Sequence, residues 1–125
     1  MPYSPFEGMT VSVIIWHNPR CSKSRQTLQL LRDHHIEPEI VPYLETPPDA
    51  ETLRSVLALL NRSPRELMRK GESEYAENDL DRPDLSAADL IAAMIRIPRL
   101  IERPVVIANG KAAVGRPPES VLEIL

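Results

Sequence analysis

The sequence predicts an α/β fold built on a mixed sheet of four strands, and three observations carry that prediction. A short β-branched run, VSVIIW at residues 11 to 16, passes directly into helical periodicity from Ser22, the opening of a strand-then-helix unit. A second strand-like segment, PEIVPYL at residues 38 to 44, follows that helix, and such a passage implies parallel pairing across a right-handed crossover. Near the C-terminus, PVVIA and KAAVG flank Asn109-Gly110, the preferred dipeptide of a two-residue hairpin turn, which adds an antiparallel pair.

The remaining elements follow from spacing and from capping chemistry. Leu28 and Leu31, with Leu30 nearby, form an apolar stripe on a helix running from Ser22 to about His35. Pro42 inside the second strand has no N–H to give a ladder, so that strand belongs at a sheet edge or ends there. After TPPD, Leu53, Val56, Leu57 and Leu60 recur at i, i+3, i+4 and i+7, an amphipathic helix. Ser63-Pro64-Arg65-Glu66 supplies an N-cap, a proline at the first helical position and a capping-box Glu. Gly71 is placed to end that short helix, with Arg69 in its last turn. Ser86 with Asp89 starts a further helix through about Arg96, and Pro98 stops it. GRPPESVLEIL closes the chain as a helix that starts at prolines, with Val121, Leu122 and Leu125 on one side. The order is strand, helix, strand, an inserted helical segment, hairpin, helix. This is the thioredoxin-like arrangement: a mixed four-stranded sheet with an inserted helical segment and a C-terminal helix.

Length and composition bound the rest. At 125 residues and 42% hydrophobic, the chain is long enough for one core and too short for two. We expect residues 1 to 8 to form a flexible leader and residues 9 to 125 to form the single domain, a monomer. Fifteen basic against 18 acidic residues leave a net charge of −3, so no global positive field points to nucleic acid or to an anionic membrane surface. The longest near-continuous apolar run, residues 11 to 16, is far below the ~20 residues of a spanning helix. The segment before it lacks a basic start, so a soluble, cytoplasmic protein is expected. Cys21 is the only cysteine. An internal disulfide framework and a cysteine-rich zinc site are both excluded, no metal is expected, and any disulfide chemistry must borrow a second thiol.

That cysteine sits in HNPRCSKSR, among Arg20, Lys23 and Arg25 and at the start of the first helix. A thiol there faces unsatisfied backbone N–H groups and the positive end of the helix dipole, both of which favour the thiolate. Each tenfold gain in thiolate needs about 1.4 kcal/mol of differential stabilisation, which a helix end and one or two partly buried cations supply. The competing reading is a small core residue, the ordinary fate of a free cysteine. NPR before it and SKS after it are poor core company. His17, four residues upstream, can hydrogen-bond or electrostatically support a thiolate, or simply end a strand. Ser24 can donate to the sulfur, or satisfy first-turn backbone groups.

A phosphate loop of the Cys-x5-Arg kind needs arginine at residue 27, where Thr27 stands. An oxyanion site must therefore gather arginines from elsewhere: Arg69 at the end of its short helix, Arg103 before the hairpin, or Arg116 at the start of the last helix. In a thioredoxin-like fold the segment before the hairpin returns beside the N-terminus of the first helix, often through a cis proline. Pro104 is placed for that role, and Arg103 would then point near Cys21. Arg65 and Arg99 have no such positional argument and read as solvated surface charges.

Four ordered motifs, HNPRCSKSR, YLETPP, ERPVV with the following NGK, and GRPPESVLEIL, carry a match that runs from about residue 11 to 125. Together they resemble the glutaredoxin-coupled arsenate reductases of bacteria, the ArsC branch of the thioredoxin-like fold. The resemblance implies that Cys21 is the catalytic nucleophile, that Arg69, Arg103 and Arg116 hold the oxyanion, and that His17 and Ser24 support the thiolate. It implies arsenate or a similar oxyanion as substrate, glutathione as co-substrate rather than bound cofactor, and glutaredoxin as partner. Arg20 stands where other members can carry a small residue. Two alternatives share the scaffold: a general glutathione-linked thiol oxidoreductase, and a non-enzymatic regulator like the Spx-type polymerase-binding relatives. The latter typically use a Cys-x-x-Cys switch, whose second position here is Ser24.

Overall fold

The computed structural model describes residues 12–125; the leader expected at residues 1 to 8 lies outside them. Four strands, β1 (Val13–Trp16), β2 (Glu39–Val41), β3 (Val105–Ala108) and β4 (Lys111–Val114), form one sheet in the order β2-β1-β3-β4. β1 pairs parallel with β2 and antiparallel with β3, and β3 pairs antiparallel with β4. This is the thioredoxin-like mixed sheet that the sequence predicts. β2 is an edge strand and stops one residue before Pro42, where no further N–H is available for the ladder. Asn109 and Gly110 take φ of 55° and 72°, the paired positive values that a tight hairpin requires.

Side chains alternate across the sheet and define two cores. Val13, Ile15, Val106 and Ala108 face α1 (Ser22–Asp33) and the C-terminal segment, where Leu28, Leu31, Val121 and Ile124 meet them. Trp16 and Val105 face the other way, onto α2 (Ala50–Leu60), α3 (Pro64–Leu67) and α5 (Ala87–Arg96). Leu53, Leu67, Met94, Leu100 and Ile101 are fully enclosed there. Truncating any one of them to alanine would cost about 2 to 5 kcal/mol.

Several elements depart from expectation, each for a local reason. α1 ends at Asp33, and His35 turns the chain with φ of 62°. α3 is one turn long, with its capping box formed as predicted: Ser63 Oγ accepts from the Glu66 N–H at 3.3 Å, and Glu66 Oε1 from the Ser63 N–H at 2.7 Å. Arg69 therefore lies beyond the helix rather than in its last turn. Met68 bridges Ile101, and the Arg69 N–H donates to the Leu100 carbonyl at 2.7 Å. A short helix, α4 (Ser73–Glu77), occupies a stretch too polar to show periodicity. The final segment, Pro118–Ile124, is 3₁₀ rather than α. Its repeat of three buries Pro118, Val121 and Ile124 and leaves Leu125 exposed, where an α-helical spacing would favour Leu122 and Leu125.

Three distant segments close on one point behind the N-terminal turn of α1. The Gly115 N–H donates to the Pro104 carbonyl at 2.9 Å. A Cβ on Gly115 would lie 2.5 Å from Thr27 Oγ1 and 2.8 Å from Pro104 Cγ. Glycine is required there because no side chain fits between helix and hairpin. Gly115→Ala should therefore destabilise the fold by about 1 to 3 kcal/mol through overpacking, read as a lower urea midpoint at unchanged slope. An unshifted midpoint would show that Thr27 and Pro104 have room to move.

Candidate active site

Cys21 occupies the N-cap of α1 with extended backbone angles, φ −98° and ψ 123°, and makes no side-chain capping bond. The loop before it explains the placement. The Cys21 N–H donates to the Asn18 carbonyl at 3.0 Å, and Asn18 Oδ1 accepts from the Arg20 N–H at 3.0 Å. This Asx turn starts where β1 stops and hands the chain to the helix. In place of an oxygen cap, a sulfur atom stands before the free amides of the first turn.

Burial of Cys21 opposes ionisation. The backbone amide of Ser24, the guanidinium of Arg103 and the amide of Lys23 outweigh it, so the thiol pKa lies below its ordinary value. Arg116 also reaches the same atom, with Nη2 3.6 Å from Sγ. Arg103 leads into β3 and Arg116 follows β4, and each is joined to the next residue by a cis peptide, Arg103-Pro104 and Arg116-Pro117.

His17 and Ser24 contribute differently from each other. His17 Nδ1 lies 2.6 Å from Ser24 Oγ, which also accepts from the Asn18 N–H at 3.0 Å. Burial lowers the His17 pKa, and the charges of Arg32 and Arg25 lower it further. The imidazole is neutral at pH 7 and adds no positive charge to the site. It acts on the loop through Ser24, whose hydroxyl is wholly buried and whose backbone amide faces the sulfur.

The arginines are organised by a carboxylate that sequence reasoning passed over. Glu102 Oε1 accepts from Arg69 Nη1 at 2.8 Å, from Arg116 Nε at 2.9 Å and from the Arg103 backbone N–H at 3.2 Å. Arg116 Nε also donates to the Arg103 carbonyl at 2.8 Å. Arg69 is held a second time by Glu72 Oε2 at 3.1 Å. It stands back from the sulfur, and its charge is felt at Tyr43. Arg99 is not a free surface charge: it binds the other oxygen of Glu72 at 2.9 Å and Glu74 at 3.5 Å. Arg65 is also engaged, donating to Tyr75 Oη and the Leu80 carbonyl, both at 2.6 Å, and to the Arg82 carbonyl at 2.8 Å. That fan of bonds ties α3 to α4 and the turn after it.

Tyr43 completes the neighbourhood. Its ring is fully buried, and its pKa is pushed up to about 12, chiefly by burial, with the positive charge of Arg103 working against the shift. The hydroxyl is therefore a permanent donor. Neither Tyr43 Oη nor the buried Nε of Arg103 has a hydrogen-bond partner of good geometry. Two unsatisfied donors beside a thiolate suit an oxygen-rich anion.

A family model described as the ArsC family matches residues 16–124. The chain belongs to the ArsC family. The Escherichia coli K12 protein YfgD is 58% identical over 118 residues, covering 94% of this chain and 99% of the relative. An arsenate reductase of Neisseria meningitidis serogroup A is 48% identical, covering 89% of this chain and 96% of that one. The solved structure of an arsenate reductase from Vibrio cholerae superposes with a TM-score of 0.90 at 50% identity, covering 93% of this chain and 99% of that one. Tyr43 lies within one of the four ArsC-like motifs, YLETPP, which is the one signal by which the sequence could have singled it out.

In this ArsC-family site the sulfur should titrate below an ordinary thiol. Iodoacetamide alkylation of Cys21 followed against pH should show a depressed midpoint. Arg103→Met should raise it, lowering the thiolate population on the order of tenfold at neutral pH, since a hydrogen bond to a charged group is worth about 1.5 to 3 kcal/mol. The folded chain releases this proton more readily than the unfolded one. The linked stability is therefore fully present above the unfolded pKa and is lost as pH falls through the folded pKa. Equal midpoints for the wild type and Arg103→Met would remove Arg103 from the thiolate's surroundings.

Proposed function

We propose that the protein is a thiol-dependent arsenate reductase in which Cys21 is the nucleophile, with glutathione and glutaredoxin as electron donors. The observation that carries this reading is the thiol of depressed pKa at the helix N-terminus, flanked by Arg116 at 3.6 Å and by Arg103 with a buried, unpartnered Nε. A tetrahedral oxyanion presents several acceptor oxygens, and converging guanidinium groups and a tyrosine hydroxyl match them. The names of the arsenate reductases from Neisseria meningitidis and Vibrio cholerae support the choice of arsenate.

The Cys21 thiolate attacks arsenic(V), an As–S bond forms and one arsenate oxygen leaves as water after protonation. Arg103 and Arg116 hold the remaining oxygens, Arg69 adds charge from behind Glu102, and Tyr43 donates a hydrogen bond. Arsenic is still pentavalent at this point. A glutathione thiol then replaces a second oxygen, again with loss of water. Attack by a glutaredoxin thiolate on the glutathione sulfur makes a mixed disulfide and leaves an electron pair on arsenic, which becomes arsenic(III). Hydrolysis of the last As–S bond frees arsenite and the Cys21 thiol. An external thiol is obligatory in this scheme because the chain has no second cysteine to form a disulfide.

Supplying glutathione and glutaredoxin should give arsenate-dependent oxidation of glutathione by the wild type and none by Cys21→Ser. Arg116→Ala should raise the KM for arsenate by about tenfold or more, the loss of one charge-assisted bond. Turnover equal in the wild type and Cys21→Ser would sink the proposal. Disulfide reduction without arsenate dependence would favour a general thiol oxidoreductase.

A further inference from the structure

Arg20 and Arg99 take no part in the oxyanion site, yet both face a cleft beside it. This cleft, about 280 Å³, is lined by Asn18, Arg20, Leu44, Arg99 and Arg103. Its floor adjoins the nucleophile, since the Asn18 carbonyl accepts the Cys21 N–H and Arg103 bears on the sulfur. A second lobe of about 320 Å³ shares Asn18, Arg20 and Leu44 and adds His17, Pro42 and Glu45. The double cleft is thus polarised, with Arg99 and Arg103 in one lobe, Glu45 in the other, and Arg20 and apolar Leu44 lining both.

Arg20 is uncommitted, and Arg99 and Arg103 keep capacity for a ligand beyond the contacts they make. Arg20 makes no ion pair among the described residues. Arg99 is held in place by Glu72 and Glu74 while 60% of its side chain stays exposed. Arg103 has an unpartnered Nε. Glu45 likewise forms no ion pair among the described residues. Two anchoring cations and one anion around an apolar step fit an elongated zwitterion better than a compact inorganic anion.

We propose that this double cleft binds the external thiol as a carboxylate-bearing peptide thiol. Its carboxylates sit at Arg20 and Arg99, its ammonium group at Glu45, and its sulfur is delivered past Arg103 toward Cys21. The proposal rests on the thiol-dependent reading above and adds the site and charge pattern of the thiol itself. Arg20 then selects the co-substrate and is not part of the oxyanion site.

Disulfide exchange tests this without arsenate. The Cys21 thiolate attacks one sulfur of glutathione disulfide, forming a mixed disulfide and releasing one glutathione thiolate. Three disulfides are compared by mass spectrometry of the modified chain: glutathione disulfide, the neutral 2-hydroxyethyl disulfide, and 3,3′-dithiodipropionate, which has carboxylates but no ammonium. Arg20→Glu and Arg99→Glu should each slow glutathione disulfide and dithiodipropionate by about fivefold or more, and change 2-hydroxyethyl disulfide by less than about twofold. Glu45→Gln should slow glutathione disulfide alone. Equal slowing of all three disulfides, or no slowing of glutathione disulfide by Arg20→Glu, would overturn the proposal. Charge-selective exchange in a protein without arsenate-dependent turnover would uphold the thiol cleft and remove only the oxyanion reading.

Discussion

The free amides at the start of α1 are the constraint around which this molecule is arranged. Most helices quench those groups with a side-chain oxygen. Here Cys21 holds the N-cap position, and its sulfur is left to meet the amides of Lys23 and Ser24. A neutral thiol is a poor acceptor, whereas a thiolate is a good one, so the helix end is satisfied best by the reactive form. The loop that enforces this is short and fully bonded. Asn18 alone uses its carbonyl, its side-chain oxygen and its N–H to hold Cys21, Arg20 and Ser24 in register.

Concentrating arginines beside a thiolate brings its own cost, because like charges repel and long side chains lose freedom. Glu102 offsets both. One oxygen collects donors from three arginine residues, two through side chains and one through the backbone. Arg116 is fixed at Nε by Glu102 and by the Arg103 carbonyl, which leaves Nη2 aimed at the sulfur. Arg69 is shared between Glu102 and Glu72 and stands behind the others. The cluster is graded: Arg103 and Arg116 bear on the reacting atom, and Arg69 and Arg99 brace the carboxylates behind it.

Much of the scaffold was legible in the residues, and the gaps have physical causes. The Asn109-Gly110 turn, the Ser63 and Ser86 capping boxes and the β1 to α1 passage each depend on local chemistry and appear as expected. The C-terminal segment is 3₁₀ where its sequence suggests α, because apolar residues at spacings of three suit both geometries almost equally and packing decides between them. Within the site, motif residues were visible and their connections were not. Nothing in ERPVV shows that its glutamate turns back on arginines 33 and 14 residues away, since that depends on how β3 and β4 lie against α1. The bonds of Arg65 are hidden in the sequence for the same reason: its carbonyl acceptors come from a loop whose path is set by tertiary contacts.

The neutrality of His17 has a wider consequence. A histidine beside a nucleophile commonly makes reactivity follow ambient acidity, because imidazole changes charge near pH 6 to 7. Burial and the nearby Arg32 and Arg25 lower the His17 pKa and so favour its uncharged form. The cations around the sulfur are guanidinium groups, which hold their proton at any physiological pH. The positive field on Cys21 therefore comes from groups whose own charge does not follow ambient acidity, and pH acts on the site through the sulfur's own proton.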